Sequence, residues 1–123
     1  MRNIYLAGKM SGLPEFNFPA FNAATERLRA QGHHVFNPAE RDIIRHGGVD
    51  ISKGNVTGSQ EQARKEHSFS LEDALLEDLT FIIKGDENGP CTTIALLPGW
   101  EYSGGAFLEF VTAKHFNKEF WYL

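Results

Sequence analysis

A chain of 123 residues, 41% of them hydrophobic, is long enough for one compact domain with a real core and too short for two. Its net charge of -4, with no basic stripe, excludes a binder of polymeric nucleic acid, whose backbone must be neutralised, but leaves small anions open as ligands. One cysteine, Cys91, excludes an internal disulfide framework, and the lack of a signal peptide or long apolar span gives the expectation of a cytoplasmic protein with no membrane partner.

Ile4-Tyr5-Leu6-Ala7 reads as a first strand. Gly8-Lys9-Met10-Ser11-Gly12 follows as a loop whose glycines and hydroxyl can present N–H groups to a phosphate. Asn17 caps a helix and Pro19 sits in its first turn, with Phe18, Phe21, Ala24 and Leu28 as its apolar stripe and Gly32 at its end. His33 to Phe36 gives a second strand, closed by Asn37-Pro38. The two histidines do not make a metal site, because adjacent strand residues point to opposite faces and no third ligand is spaced nearby. No metal and no other cofactor is expected.

Ala39 to His46 reads as a short helix with Ile43 and Ile44 as its apolar contacts. Residues 47–67 are polar and almost free of large apolar groups, which reads as a structureless mobile lid over the sheet edge or as surface disorder. Ser70 then caps a helix with Glu72 and Asp73 in its first turn, and Leu71, Leu75, Leu79, Ile82 and Ile83 form its stripe. Asp78 falls on the adjoining face, either at the rim of a pocket or as a solvated carboxylate. Residues 86–91 connect this helix to a buried third strand, Ile94 to Leu97, which Pro98-Gly99 stops.

Ser103-Gly104-Gly105 opens a further helix in which Phe107, Phe110, Val111 and Ala113 fall at helical spacing, with Glu109 one turn inside. Phe120-Trp121-Tyr122 is of strand type. The alternation of strands and helices implies an α/β domain spanning 1–123: an open, doubly wound parallel sheet, flavodoxin-like or Rossmann-like, in three layers with four to five strands. Its C-terminal edge collects the Gly8 to Gly12 loop, Asn37 and the Gly99 to Gly105 loop, and ligands bind at that edge in such sheets.

A glycine-serine turn at a helix start, Glu109 one turn into that helix and Asp78 on the preceding one suit cleavage at a sugar carbon. One carboxylate attacks the anomeric carbon, the other positions a hydroxyl or relays a proton, and the helix N-terminus holds a 5'-phosphate. Trp100 and Tyr102 are candidates to stack on a base, with a core or subunit contact as the plainer reading.

Tyr5-Leu6-Ala7-Gly8, the Asn37-Pro38 exit, Asp78, and Ser103 to Glu109 together resemble the nucleoside 2-deoxyribosyltransferase superfamily, including the 2'-deoxynucleoside 5'-phosphate N-hydrolases. YLAGKMSG, FNPAE and LLPGWEYSGGAFLE are more closely similar to a small domain family of unassigned function frequent in phage and bacterial genomes. The superfamily resemblance implies that Glu109 is the nucleophile at C1' and that Asp78 contacts the sugar. It implies that Ser103, Gly104 and Gly105, with Gly8 and Ser11, face the phosphate. Tyr5, which matches by position, and Asn37, Asp86 and Trp100 are candidate base or sugar contacts. The pattern's aspartate just before the third strand is replaced by Cys91-Thr92, although Asp86 keeps the usual spacing from Asp78.

The reaction expected is hydrolysis of the N-glycosidic bond of a (deoxy)nucleoside 5'-monophosphate, with a bell-shaped pH dependence. Deoxyribosyl transfer to a second base and a non-catalytic nucleotide-binding module are the alternatives. The resemblance also implies a homo-oligomer, for which the Phe120 to Leu123 segment is a candidate contact, and a phage or prophage origin.

Overall fold

A computed structural model of the chain describes residues 1–123. Four parallel strands form the sheet: β1 (Asn3–Ala7), β2 (His34–Phe36), β3 (Thr93–Leu96) and β4 (Glu119–Tyr122), in the order β2-β1-β3-β4. Five α-helices accompany them: α1 (Phe18–Ala30), α2 (Pro38–Arg45), α3 (Gln60–His67), α4 (Leu71–Lys84) and α5 (Gly104–His115). This is a three-layer α/β fold of the flavodoxin-like kind. The chain reverses its direction of winding between β1 and β3, where open sheets of this kind leave a crevice at the carboxyl edge.

Alternation along the central strands builds the two cores. Ile4 and Leu6 of β1, with Ala95 and Leu97, pack among Phe16, Phe18, Phe21, Ala24 and Leu28 on the α1 side. Tyr5 and Ala7, with Ile94 and Leu96, pack among Phe81, Ile82 and Ala113 on the α4/α5 side. β1 and β3 are therefore buried on both faces, as parallel strands between helical layers are. Register sets Tyr5 beside Ile94 and Ala7 beside Leu96, so both strands end at the same level. No helix is long and apolar enough to cross a membrane.

The segment 47–67 departs from the expected structureless lid. Its second half is the helix α3, capped by Ser59, whose side chain accepts from Gln62 N, and anchored by buried Ala63. Its first half is a run of turns around buried Ile51, Ser52 and Asn55. Glu15 N donates to Asn55 O and Gly12 N to Gly58 O, both at 2.9 Å, which ties these turns to the β1–α1 loop. The buried side chains here are few and mostly small or polar, so a search for large apolar groups passes over them.

Two helices are rotated from the faces expected. In α4 the buried stripe is Ala74, Asp78, Phe81 and Ile82, while Leu71, Leu75 and Leu79 are half-buried and Ile83 is exposed. In α5 it is Ala106, Glu109 and Ala113, and Phe107 and Val111 face solvent. The cause is the same in both: a carboxylate occupies the middle of the buried face, with an alanine one turn before it. Ile44 of α2 is likewise exposed, while Ile43 packs against the core. β4 is an edge strand, its Phe120 packed on Phe110 and its Tyr122 exposed.

Candidate active site

A cavity of about 470 Å³ opens over the carboxyl ends of β1 and β3. Beneath it Tyr5, wholly buried on β1, donates its phenolic O–H to Glu109 Oε2 at 2.6 Å. Glu109 is 5% exposed on α5 and Asp78 is 7% exposed on α4, and all three line the cavity. Two buried carboxylates and a phenol thus share one small volume on the α4/α5 side of the sheet.

The electrostatics follow from that crowding. Burial pushes the Glu109 carboxyl well above its ordinary range and the charge of Asp78 pushes it further, while the hydrogen bond from Tyr5 pulls the other way. Burial lifts Asp78 to about 6, against the pull of Tyr5 and of the Arg45 guanidinium. Burial, and then the two carboxylates, raise the Tyr5 phenol, so it stays a donor. A pair like this releases its protons in two steps that belong to both groups, and across the interval between them it holds one proton. One carboxylate is then a nucleophile or base while its neighbour is an acid.

The mouth has the opposite character. Ser103 caps α5, its Oγ accepting from Ala106 N at 3.1 Å. Gly104 and Gly105 begin the helix, where backbone N–H groups have no acceptor within it, and the absence of side chains leaves those groups accessible. Gly8 and Ser11 line the same cavity. A Cβ on Gly8 would lie 3.0 Å from Leu97 and 3.1 Å from Phe21, so close packing favours glycine there. Lys9, whose Nζ reaches Tyr102 O at 3.5 Å, is the one basic side chain on the lining.

Of the residues singled out from the sequence, Tyr5, Gly8, Ser11, Asp78, Ser103, Gly104, Gly105 and Glu109 come together around this cavity. Of the two readings of Asp78, the one at a pocket holds and the solvated one does not, because α4 turns that face inward. Three others lie elsewhere. Asn37 is buried as the cap of α2, accepting from Ala39 N and donating to Asn22 Oδ1. Asp86 sits at the opposite edge of the sheet, where its Oδ1 accepts from Asn3 Nδ2 and from Asn88 N in a tight turn. Trp100 stacks on Phe110 with ring centroids 4.7 Å apart, as part of the α4/α5-side core.

Several lining residues escaped the sequence reading. Asp42 of α2 is 6% exposed and ion-paired with Arg45, which also binds Glu77 on α4. Phe16, Ile51, Gln60 and Phe69 complete the wall on the α2/α3 side. Phe16 points inward because Glu15, Phe16 and Asn17 all take left-handed backbone, and the Asn17 amide donates to Lys9 O rather than capping α1. An Asp with an Arg three residues later on an amphipathic helix was the available signal for Asp42; nothing local marks the others.

The class defined by this fold and site is a three-layer α/β protein with a carboxylate pair at the switch point of its sheet. Among known families, the model described as a domain of unknown function, DUF4406, matches residues 2–53. That match takes in Tyr5, Gly8, Ser11 and Asp42 and ends before Asp78 and Glu109. No curated protein and no solved structure matches the chain.

Proposed function

We propose that the protein hydrolyses the N-glycosidic bond of a (deoxy)nucleoside 5'-monophosphate, with Glu109 as nucleophile. The observation that carries this reading is the buried Tyr5–Glu109 hydrogen bond beside Asp78, at the floor of a cavity whose mouth holds Lys9 and the start of α5. Carboxylates suit a reacting centre that gains positive charge, and a cation with free N–H groups suits a phosphate. The two kinds of site lie in one cavity, as the two ends of a nucleotide's sugar phosphate require. The resemblance of Ser103 to Glu109 to the nucleoside 2-deoxyribosyltransferase superfamily supports the same roles.

In the proposed reaction the Glu109 carboxylate attacks C1' as the bond from C1' to the base nitrogen breaks. The proton of the resting pair, which burial and the Asp78 charge place on Glu109, moves to Asp78 as Glu109 attacks, and Asp78 passes it by way of water to the departing base. Water then attacks C1', giving a proton back to the pair, and frees the sugar phosphate and Glu109. Tyr5 holds the attacking carboxylate in place by its hydrogen bond. Deoxyribosyl transfer differs only in that a second base, and not water, takes the sugar from Glu109.

The experiment is incubation with a panel of ribo- and deoxyribonucleoside monophosphates, with chromatography for free base, in parallel with Glu109→Gln. Base released by the wild type and not by the variant supports hydrolysis, and a new nucleotide formed only when free base is added supports transfer. Binding with no release from any nucleotide overturns both and leaves a binding module.

A further inference from the structure

The α2/α3 side of the cavity has a function that the proposed chemistry does not use. We infer that it is the base-recognition chamber, and that it selects a base bearing an exocyclic amino group, which Asp42 and Gln60 receive. This inference rests on the proposed nucleotide reading. Glu109, Asp78 and Tyr5 stand on the α4/α5 side and Lys9 with Gly104 at the mouth, so sugar and phosphate account for those parts. What remains is a chamber walled by Met10, Phe16, Ile51 and Phe69, large and apolar enough for the faces of a heterocycle, with two polar side chains among them.

Those two side chains decide which edge can enter. Asp42 is buried, its Oδ1 is taken by Arg45, and its Oδ2 has no partner within the protein. A paired carboxylate of this kind only accepts hydrogen bonds. Gln60 has its Oε1 in a long contact of 3.4 Å with Arg64 and its Nε2 unengaged. An exocyclic amine carries two N–H donors, one for Asp42 Oδ2 and one for Gln60 Oε1, while the neighbouring ring nitrogen can accept from Gln60 Nε2. A carbonyl oxygen in the same place would face the Asp42 carboxylate, acceptor against acceptor.

Two pairs of ligands differ along that edge alone, the amino group becoming a carbonyl and the neighbouring ring nitrogen an N–H donor: adenine and hypoxanthine nucleotides, and cytosine and uracil nucleotides. Titration calorimetry with Glu109→Gln, which binds without turnover, should give tighter binding of the amino member of at least one pair by about ten- to a hundredfold, the usual worth of a hydrogen bond to a charged group. Asp42→Asn in the same background should reduce that ratio to within a few-fold. Because Asp42 also holds Arg45, Gln60→Leu, at the half-buried start of α3, serves as the second variant and should lower the ratio several-fold.

Equal binding of both members of each pair, or preference for the oxo member, overturns the inference whether or not base is released. Absence of any nucleotide binding overturns it together with the proposed function. Amino preference without turnover by the wild type would leave the chamber assignment standing and overturn the hydrolase alone.

Discussion

The phenol of Tyr5 reaches Glu109 across 104 positions of sequence to make a 2.6 Å hydrogen bond inside the molecule. It joins the central strand to α5 and favours the ionised form of the carboxyl that would attack. Tyr5→Phe removes the donor and keeps the ring packed against Phe36 and Phe81. Glu109 then becomes harder to ionise, so the acid limb of the pH–rate profile should move to higher pH and kcat should fall by roughly ten- to a hundredfold at neutral pH. A profile superimposable on that of the wild type would show that Tyr5 does not govern Glu109.

Stability should fall, not rise, as pH increases across the titration of the carboxylate pair. Burial, and then the neighbouring charge, give the folded chain protons that the unfolded chain has already lost. The pair therefore stabilises fully below about pH 4, where unfolded carboxyls titrate, and the contribution disappears as pH climbs through about 6 for Asp78 and higher for Glu109. For Asp78 alone the shift corresponds to about 3 kcal/mol. Glu77 works in the opposite sense: burial raises its carboxyl, but Arg41 and Arg45 outweigh burial and hold it low. The difference between wild type and Asp78→Asn in urea unfolding isolates the pair, and the variant should gain on the wild type from about pH 4 to about pH 7.5. A difference that stays constant over that range would mean that Asp78 titrates normally.

The strands and their parallel pairing were legible because β1 and β3 are apolar runs between glycine-bearing loops, alternating with helical patterns. Glu109 and the Ser103 to Gly105 turn were legible from a different local signal, a serine and two glycines opening a segment of helical spacing. Asp78 was visible through resemblance and misread through periodicity: a buried carboxylate interrupts the apolar stripe that periodicity looks for, so the stripe is read about one residue off. Gln60 and Phe69 were invisible because only the path of residues 47–69 brings them to the cavity that Tyr5 lines, while Asp42 carried only the faint local signal of an arginine three residues on. Asn37 and Asp86 show the converse, polar residues at loop positions whose side chains are spent on a helix cap and a turn.

That path depends on Gly58. Its φ is +66°, and a Cβ there would lie 2.2 Å from Leu13 O and 2.6 Å from Leu13 N, backbone atoms that no side-chain rotation can clear. Gly58→Ala should therefore cost well over the ~1 kcal/mol of an ordinary left-handed glycine replacement and detach residues 47–59 from the β1–α1 loop. Hydrogen exchange should show faster exchange at Gly12 and Glu15, whose N–H groups donate to Gly58 and Asn55, with little change in β3. Unchanged protection at Gly12 and Glu15 would mean that the two loops hold their positions independently.

Lys9 bears on the phosphate end of the proposed substrate. Its ammonium group is the only cation on the cavity lining, against the three carboxylates of Asp42, Asp78 and Glu109. An acidic cavity repels a phosphate dianion unless something at the mouth offsets it, and the start of α5 supplies only a partial charge. The phosphate does not change charge while the glycosidic bond breaks, so Lys9 should bind ground state and transition state alike. Lys9→Met should raise KM for a monophosphate by about tenfold and leave kcat within a few-fold, and the gap should narrow in high salt. With the corresponding nucleoside, which lacks the phosphate, wild type and Lys9→Met should have similar kcat/KM. A variant that loses as much kcat/KM on the nucleoside as on the nucleotide would place Lys9 in the architecture of the loop and not at the phosphate.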